Sequence, residues 1–64
     1  MIINGQEHPN LSEGTVSDIL STLNLEVAKV VVEVNGEIVP KSQYHSYLID
    51  KAAQVEIVSF VGGG

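Results

Sequence analysis

Val55-Glu56-Ile57-Val58-Ser59-Phe60-Val61-Gly62-Gly63-Gly64 closes the sequence, and how it is read decides the fold. Its first seven residues are mostly β-branched or aromatic, the composition of a strand. Glu56 belongs in water, so Val55 and Ile57 point inward, while Val58 and Phe60 share the outer face with Glu56. The strand then runs into three glycines with no polar linker between. Glycine has no side chain to pack and loses the most entropy on ordering, so this run adds nothing to a core. It suits a terminus that is itself the working part. At roughly 3.3–3.6 Å per extended residue, three residues reach about 10 Å past the last packed one. A glycine run alone reads as a loose end; a strand leading directly into it favours function. The expected division is a folded body over residues 1–61 and a flexible glycine tail over 62–64.

Working back along the chain, Val30-Val31-Val32-Glu33-Val34 is a second strand. Glu33 marks its wet face, which places Val30, Val32 and Val34 inside and Val31 outside. Val31, Val58 and Phe60 are then apolar residues on an outer face, a pattern that marks interaction sites. Asn35-Gly36 is a hairpin turn, and Glu37-Ile38-Val39 is a short strand stopped by Pro40. Lys41 to Tyr47 reads as irregular with room for a helical turn, Leu48-Ile49 as a brief apolar segment, and Asp50 to Gln54 as a turn.

Upstream lies one helix. Thr15 is the N-cap, and Asp18 three residues on completes a capping box. Val16, Ile19, Leu20 and Leu23 follow i, i+3, i+4, i+7 spacing and form one apolar stripe. Asn24 ends the helix. At the start, Met1 to Asn4 and Gln6 to His8 form a hairpin about Asn4-Gly5, and Asn10 to Gly14 is loop. One amphipathic helix must bury its stripe against one sheet face. The expected fold is α+β, a mixed sheet of four to five strands packed on one helix.

Composition narrows the function. A chain of 64 residues has one small core and no deep cleft. The net charge is −5, with three lysines and no arginine, the wrong sign for gripping nucleic acid. There is no cysteine, which removes thiolate metal sites and thiol nucleophiles. No apolar run approaches the ~20 residues of a membrane helix. A cytoplasmic protein, a monomer on its own, is expected. His8 and His45 lack partner spacing for a metal, Tyr44 and Tyr47 read as packing residues, and the lysines at 29, 41 and 51 as solvated.

Taken together, Met1 to Gln6, the segment Val34-Asn35-Gly36-Glu37-Ile38-Val39-Pro40 with Tyr44, and the closing Val55 to Gly64 resemble the ThiS family, sulfur carriers of thiamine (thiazole) biosynthesis with a ubiquitin-like β-grasp fold. Thr15-Val16 followed by Ile19-Leu20 fits the family's helix start. The likeness spans almost the whole chain, and its specific part is the last segment. One region departs: the family commonly has an Asp-Gly-Asp turn before the last strand, where this chain reads Lys51-Ala52-Ala53-Gln54, and a positive φ is costly for alanine.

The resemblance implies that the chain is a protein cosubstrate rather than an enzyme. A ThiF-like adenylyltransferase would use ATP to adenylate the carboxylate of Gly64, so the chain itself would bind no cofactor and no metal. Sulfur, from a desulfurase- or rhodanese-type donor, would replace AMP to give a thiocarboxylate, consumed by a ThiG-like thiazole synthase. Gly62 and Gly63 would thread a narrow channel, and Val31, Val58, Phe60 and Val61 would dock the body beside it. Two alternatives stand beside this reading: the same chemistry for another pathway, as in MoaD-like carriers of molybdopterin synthesis, or a non-covalent β-grasp interaction module.

Overall fold

Two Asn-Gly pairs bend the chain where the sheet is built. The computed structural model describes residues 1–60. Asn4 and Gly5 have φ of 51° and 80°, and Asn35 and Gly36 have 50° and 87°. Positive φ at both central residues is the tight hairpin turn whose twist matches paired strands, and asparagine and glycine tolerate it best. The first turn joins β1 (Ile2–Ile3) to β2 (Gln6–Glu7). The second joins β4 (Val30–Val34) to β5 (Glu37–Ile38).

Between the hairpins come β3 (Gly14–Thr15) and α1 (Val16–Thr22). The capping box is reciprocal: Thr15 Oγ1 accepts from the Asp18 N–H at 3.1 Å, and Asp18 Oδ2 accepts from the Thr15 N–H at 3.0 Å. At the other end Asn24 takes a φ of 59°. The Asn24 N–H then reaches Ser21 O and the Leu25 N–H reaches Leu20 O, a Schellman closure that folds Leu25 back toward the core. Single 3-10 turns at Val27–Lys29 and Lys41–Gln43 precede β4 and follow β5. The described chain ends with β6 (Leu48–Ile49) and β7 (Gln54–Ser59).

The main sheet has five strands in the order β2-β1-β7-β4-β5, with β1 and β7 parallel and the other pairs antiparallel. Val16, Ile19 and Leu20 of the helix share one core with Ile3, Val30, Val32, Val34, Val55 and Ile57 of the sheet. The parities expected for β4 and β7 are those observed. Leu23 is only half-buried, at the rim of the helix stripe.

Two regions differ from the sequence reading. Residues 10–14 read as loop and 48–49 only as a brief apolar segment, yet Gly14 pairs with Ile49 and Thr15 with Leu48 in a separate two-stranded sheet. Two-residue strands have no periodicity to read. They are set by the tertiary docking of the 41–47 segment, whose Tyr44 and Tyr47 carbonyls accept the orphan N–H groups of Ser17 and Val16 at the helix start. The second difference is the turn before β7. Asp50 closes it, accepting the Ala52 N–H on its side chain and the Ala53 N–H on its backbone, each at 3.0 Å. No residue there has positive φ, so the alanines are unstrained, and Ala53 is buried.

Candidate functional site: the outer sheet face and the root of the tail

β7 is the central strand and carries the chain toward its last residues. On one side β4 pairs with it along its whole outer half, from Val34 opposite Val55 to Val30 opposite Ser59. The ladder continues one residue further, because the Phe60 N–H donates to Lys29 O at 2.8 Å. On the other side β1 accompanies β7 only at Gln54 and Val55. There the Asn4 side chain takes over: its Oδ1 accepts the Ile57 N–H at 2.8 Å and its Nδ2 donates to Ile57 O at 3.1 Å. One amide thus substitutes for a missing peptide of the strand. Asn35 plays a smaller version of this part, accepting the Gln54 N–H at 3.0 Å. Both asparagines are visible in the sequence as turn residues, but no local pattern shows their second use.

The outer face of the sheet is an apolar row leading to this end of β7. Val31 and Val58 are directly opposed. Val58 is 58% exposed, Phe60 48% and Ile38 67%, while Val31 is half-buried. Ile38 was not singled out from the sequence, although a two-residue turn at 35–36 dictates that it lies opposite Glu33 and so on the same outer face. Lys41 is exposed, as expected, and its side chain reaches this region. Its Nζ donates to Ala28 O at 3.2 Å and lies 5.9 Å from the centroid of the Phe60 ring, a cation–π contact at the root of the tail. Within the same face Glu33 and Glu56 stand directly opposite one another. Val61, Gly62, Gly63 and Gly64 lie outside the described residues.

Elsewhere the side chains are structural. Tyr44 is buried and its hydroxyl accepts the Val32 N–H at 3.2 Å, while Tyr47 packs at the core margin. His45 Nδ1 and Ser17 Oγ are 3.1 Å apart on the exposed surface, tying the helix to the 41–47 segment. Among the described residues no pocket opens, and no three histidine, aspartate or glutamate side chains converge. Among the described residues no helix is long and apolar enough to cross a membrane. What the arrangement offers is a row of exposed apolar side chains beside a strand end paired to β4.

Comparisons with known proteins place this geometry. The chain is 45% identical over 51 residues to the sulfur carrier protein ThiS of Bacillus subtilis, covering 80% of this chain and 77% of that one. It is 42% identical over its full 64 residues to a thiazole synthase of Paramagnetospirillum magneticum, of which it spans only 20%. The crystal structure of the thiamine biosynthesis protein ThiS of Geobacter metallireducens superposes with a TM-score of 0.78 at 27% identity, covering 98% of this chain and 96% of that one. The ThiS family model matches residues 1–64. A five-stranded mixed sheet on one helix, together with a match along the entire length, means that this chain belongs to the ThiS family.

Proposed function

We propose that this chain is a sulfur carrier of thiamine biosynthesis whose working group is the carboxylate of Gly64. A terminal carboxylate is an anion at neutral pH and resists nucleophilic attack. Adenylation makes it reactive: a carboxylate oxygen attacks the α-phosphorus of ATP and pyrophosphate leaves. The donor's terminal persulfide sulfur then adds to the acyl carbon and AMP leaves; a thiol cleaves the resulting acyl disulfide, releasing the thiocarboxylate and leaving a disulfide on the donor. Transfer of that sulfur to the thiazole being built returns the carboxylate. The catalytic groups and the ATP site belong to a ThiF-like adenylyltransferase and a ThiG-like thiazole synthase; this chain contributes the acyl group and the surface by which it is held.

The observation that carries the reading is the construction of β7, together with the family match over residues 1–64. The central strand is clamped by β4 and Asn4 and points toward the glycines, with Val58 and Phe60 turned outward along it. A rigid strand fixes where a thin tail starts, and Gly62 and Gly63 let the backbone pass where side chains would clash. In the Paramagnetospirillum protein the matching segment is part of a polypeptide named thiazole synthase, which supports that enzyme as the consumer of the sulfur. Deleting Gly64 and measuring ATP–pyrophosphate exchange with the ThiF-like enzyme is the test. Exchange should vanish; exchange at the full rate would end this reading.

A further inference from the structure

The two Asn-Gly pairs occupy matching settings, yet the fold holds their side chains differently. Asn4-Gly5 and Asn35-Gly36 are each preceded by a β-branched residue, Ile3 and Val34. Each forms the tip of a two-residue hairpin, and Asn4 and Asn35 share a left-handed φ of 51° and 50°. The backbone N–H of each is held, that of Asn4 by Val55 O at 2.9 Å and that of Asn35 by Gln54 O at 2.8 Å. Each hairpin closes with one more bond past its strands, His8 N–H to Met1 O at 2.8 Å and Val39 N–H to Val32 O at 2.9 Å. The first also carries the exposed pair of the Met1 ammonium with Glu7, a contact of small worth. The amides are where the two part. That of Asn4 is bound at both ends, Oδ1 by the Ile57 N–H and Nδ2 by Ile57 O, on the central strand. That of Asn35 is bound at one: Oδ1 accepts the Gln54 N–H at 3.0 Å, and among the described residues Nδ2 donates to nothing.

We propose that Asn35 is a site of spontaneous deamidation in the folded protein, and that the clamp on Ile57 protects Asn4 from the same reaction. Asparagine before glycine is open to it because no side chain shields the following peptide nitrogen. The Gly36 nitrogen, having given its proton to a base in solution, attacks Asn35 Cγ. A C–N bond closes a five-membered succinimide, and the side-chain nitrogen takes up a proton and leaves as ammonia. Water then opens either carbonyl of the ring to give aspartate or isoaspartate. The net change is amide plus water to carboxylic acid plus ammonia. Closure needs the glycine nitrogen turned toward the asparagine Cβ, and a left-handed asparagine turns it away. Both turns must therefore open first, and the free energy of local opening sets the rate. Opening frees two side-chain bonds at Asn4 and one at Asn35. The extra bond, about 1 kcal/mol, makes Asn35 roughly fivefold the faster. The consequences differ as well. Aspartate at 35 keeps an acceptor for the Gln54 N–H. Isoaspartate lengthens the main chain of a two-residue turn and displaces β5, an edge strand, with Ile38 on it. The same change at Asn4 would remove the donor to Ile57 O and unclamp the central strand. The reaction is thus directed to the edge of the sheet, and this holds whether or not the chain carries sulfur.

The test incubates the purified protein at mildly alkaline pH, folded in buffer and unfolded in urea. Protease fragments containing residues 4–5 and 35–36 are followed by mass, and isoaspartate is labelled with an isoaspartyl-specific methyltransferase. In urea the two pairs should convert at similar rates, because their neighbours in sequence match. In the folded protein Asn35 should convert at least about fivefold faster than Asn4. Equal rates there, or a faster Asn4, would overturn the proposal. So would a folded protein in which Asn35 stays intact over a time in which both pairs convert in urea. Asn35→Asp gives a second readout, since an aspartate can isomerise but has no ammonia to lose. Ammonia release from the folded variant should fall to a small remainder; release at the rate of the unchanged protein would place the reaction elsewhere and sink the assignment.

Discussion

Replacing Val58 by threonine separates the work of the outer face from the stability of the fold. The two side chains have nearly the same shape and both suit a strand, and Val58 is 58% exposed. The free domain should therefore change by no more than about 0.5 kcal/mol. In a docked complex the same substitution removes a buried methyl, worth about 0.8 kcal/mol. It also buries a hydroxyl without a partner, at a cost of at least ~1 kcal/mol. The sum is close to 2 kcal/mol, or roughly a 30-fold rise in Kd. Calorimetric titration against the adenylyltransferase reads the affinity, and urea unfolding reads the stability. In steady state KM for the carrier should rise while kcat holds, because the residues proposed to enter the active site are untouched. Unchanged affinity would mean that this face does not dock. A stability loss above about 1 kcal/mol would mean that Val58 packs into the body rather than facing a partner.

Other residues test what holds the folded body together. Tyr44→Phe strands the buried Val32 N–H and should cost about 1–2 kcal/mol, seen as a fall in Tm of roughly 5–15 °C, with adenylation at room temperature unaltered. Asn4→Ala removes both bonds to Ile57 and puts alanine at a φ of 51°; a loss of about 2–3 kcal/mol in urea and faster amide exchange at Ile57 are expected, and unchanged exchange would contradict the clamp. Thr15→Ala opens the capping box and should cost about 1 kcal/mol by the same unfolding measurement.

Local chemistry carried most of the fold into the sequence. The helix was legible because a capping box, a stripe of four apolar residues and a terminating asparagine agree with one another. Both hairpins were legible because Asn-Gly fixes turn type and register together. The directions of Val31, Val58 and Phe60 followed from parity alone, with Glu33 and Glu56 as markers of the wet face. What could not be read was contact at long range. The pairing of Gly14 with Ile49, the plug that Tyr44 places on Val32, and the reach of Asn4 to Ile57 and Lys41 to Phe60 join residues without any shared local pattern. The turn at 50–54 shows the opposite limit. A family's glycine suggested a strained loop, yet an aspartate side chain closes it with ordinary backbone angles. The opposed glutamates were used as markers of exposure, and only the register of β4 against β7 reveals them as a pair.

The most direct test is top-down mass analysis of the protein purified from sulfur-replete cells that contain its activating enzyme. Exchange of one carboxylate oxygen for sulfur adds about 16 Da, nominally the same as oxidation of a methionine, so the fragment that carries the mass is what counts. Met1, the one methionine, is only 5% exposed and belongs to the core, which protects its thioether. The account requires the added mass to lie in the fragment containing Gly64 and to disappear when ATP-dependent activation is abolished. Added mass confined to the Met1 fragment, or none at Gly64 while thiazole is being made, would contradict it.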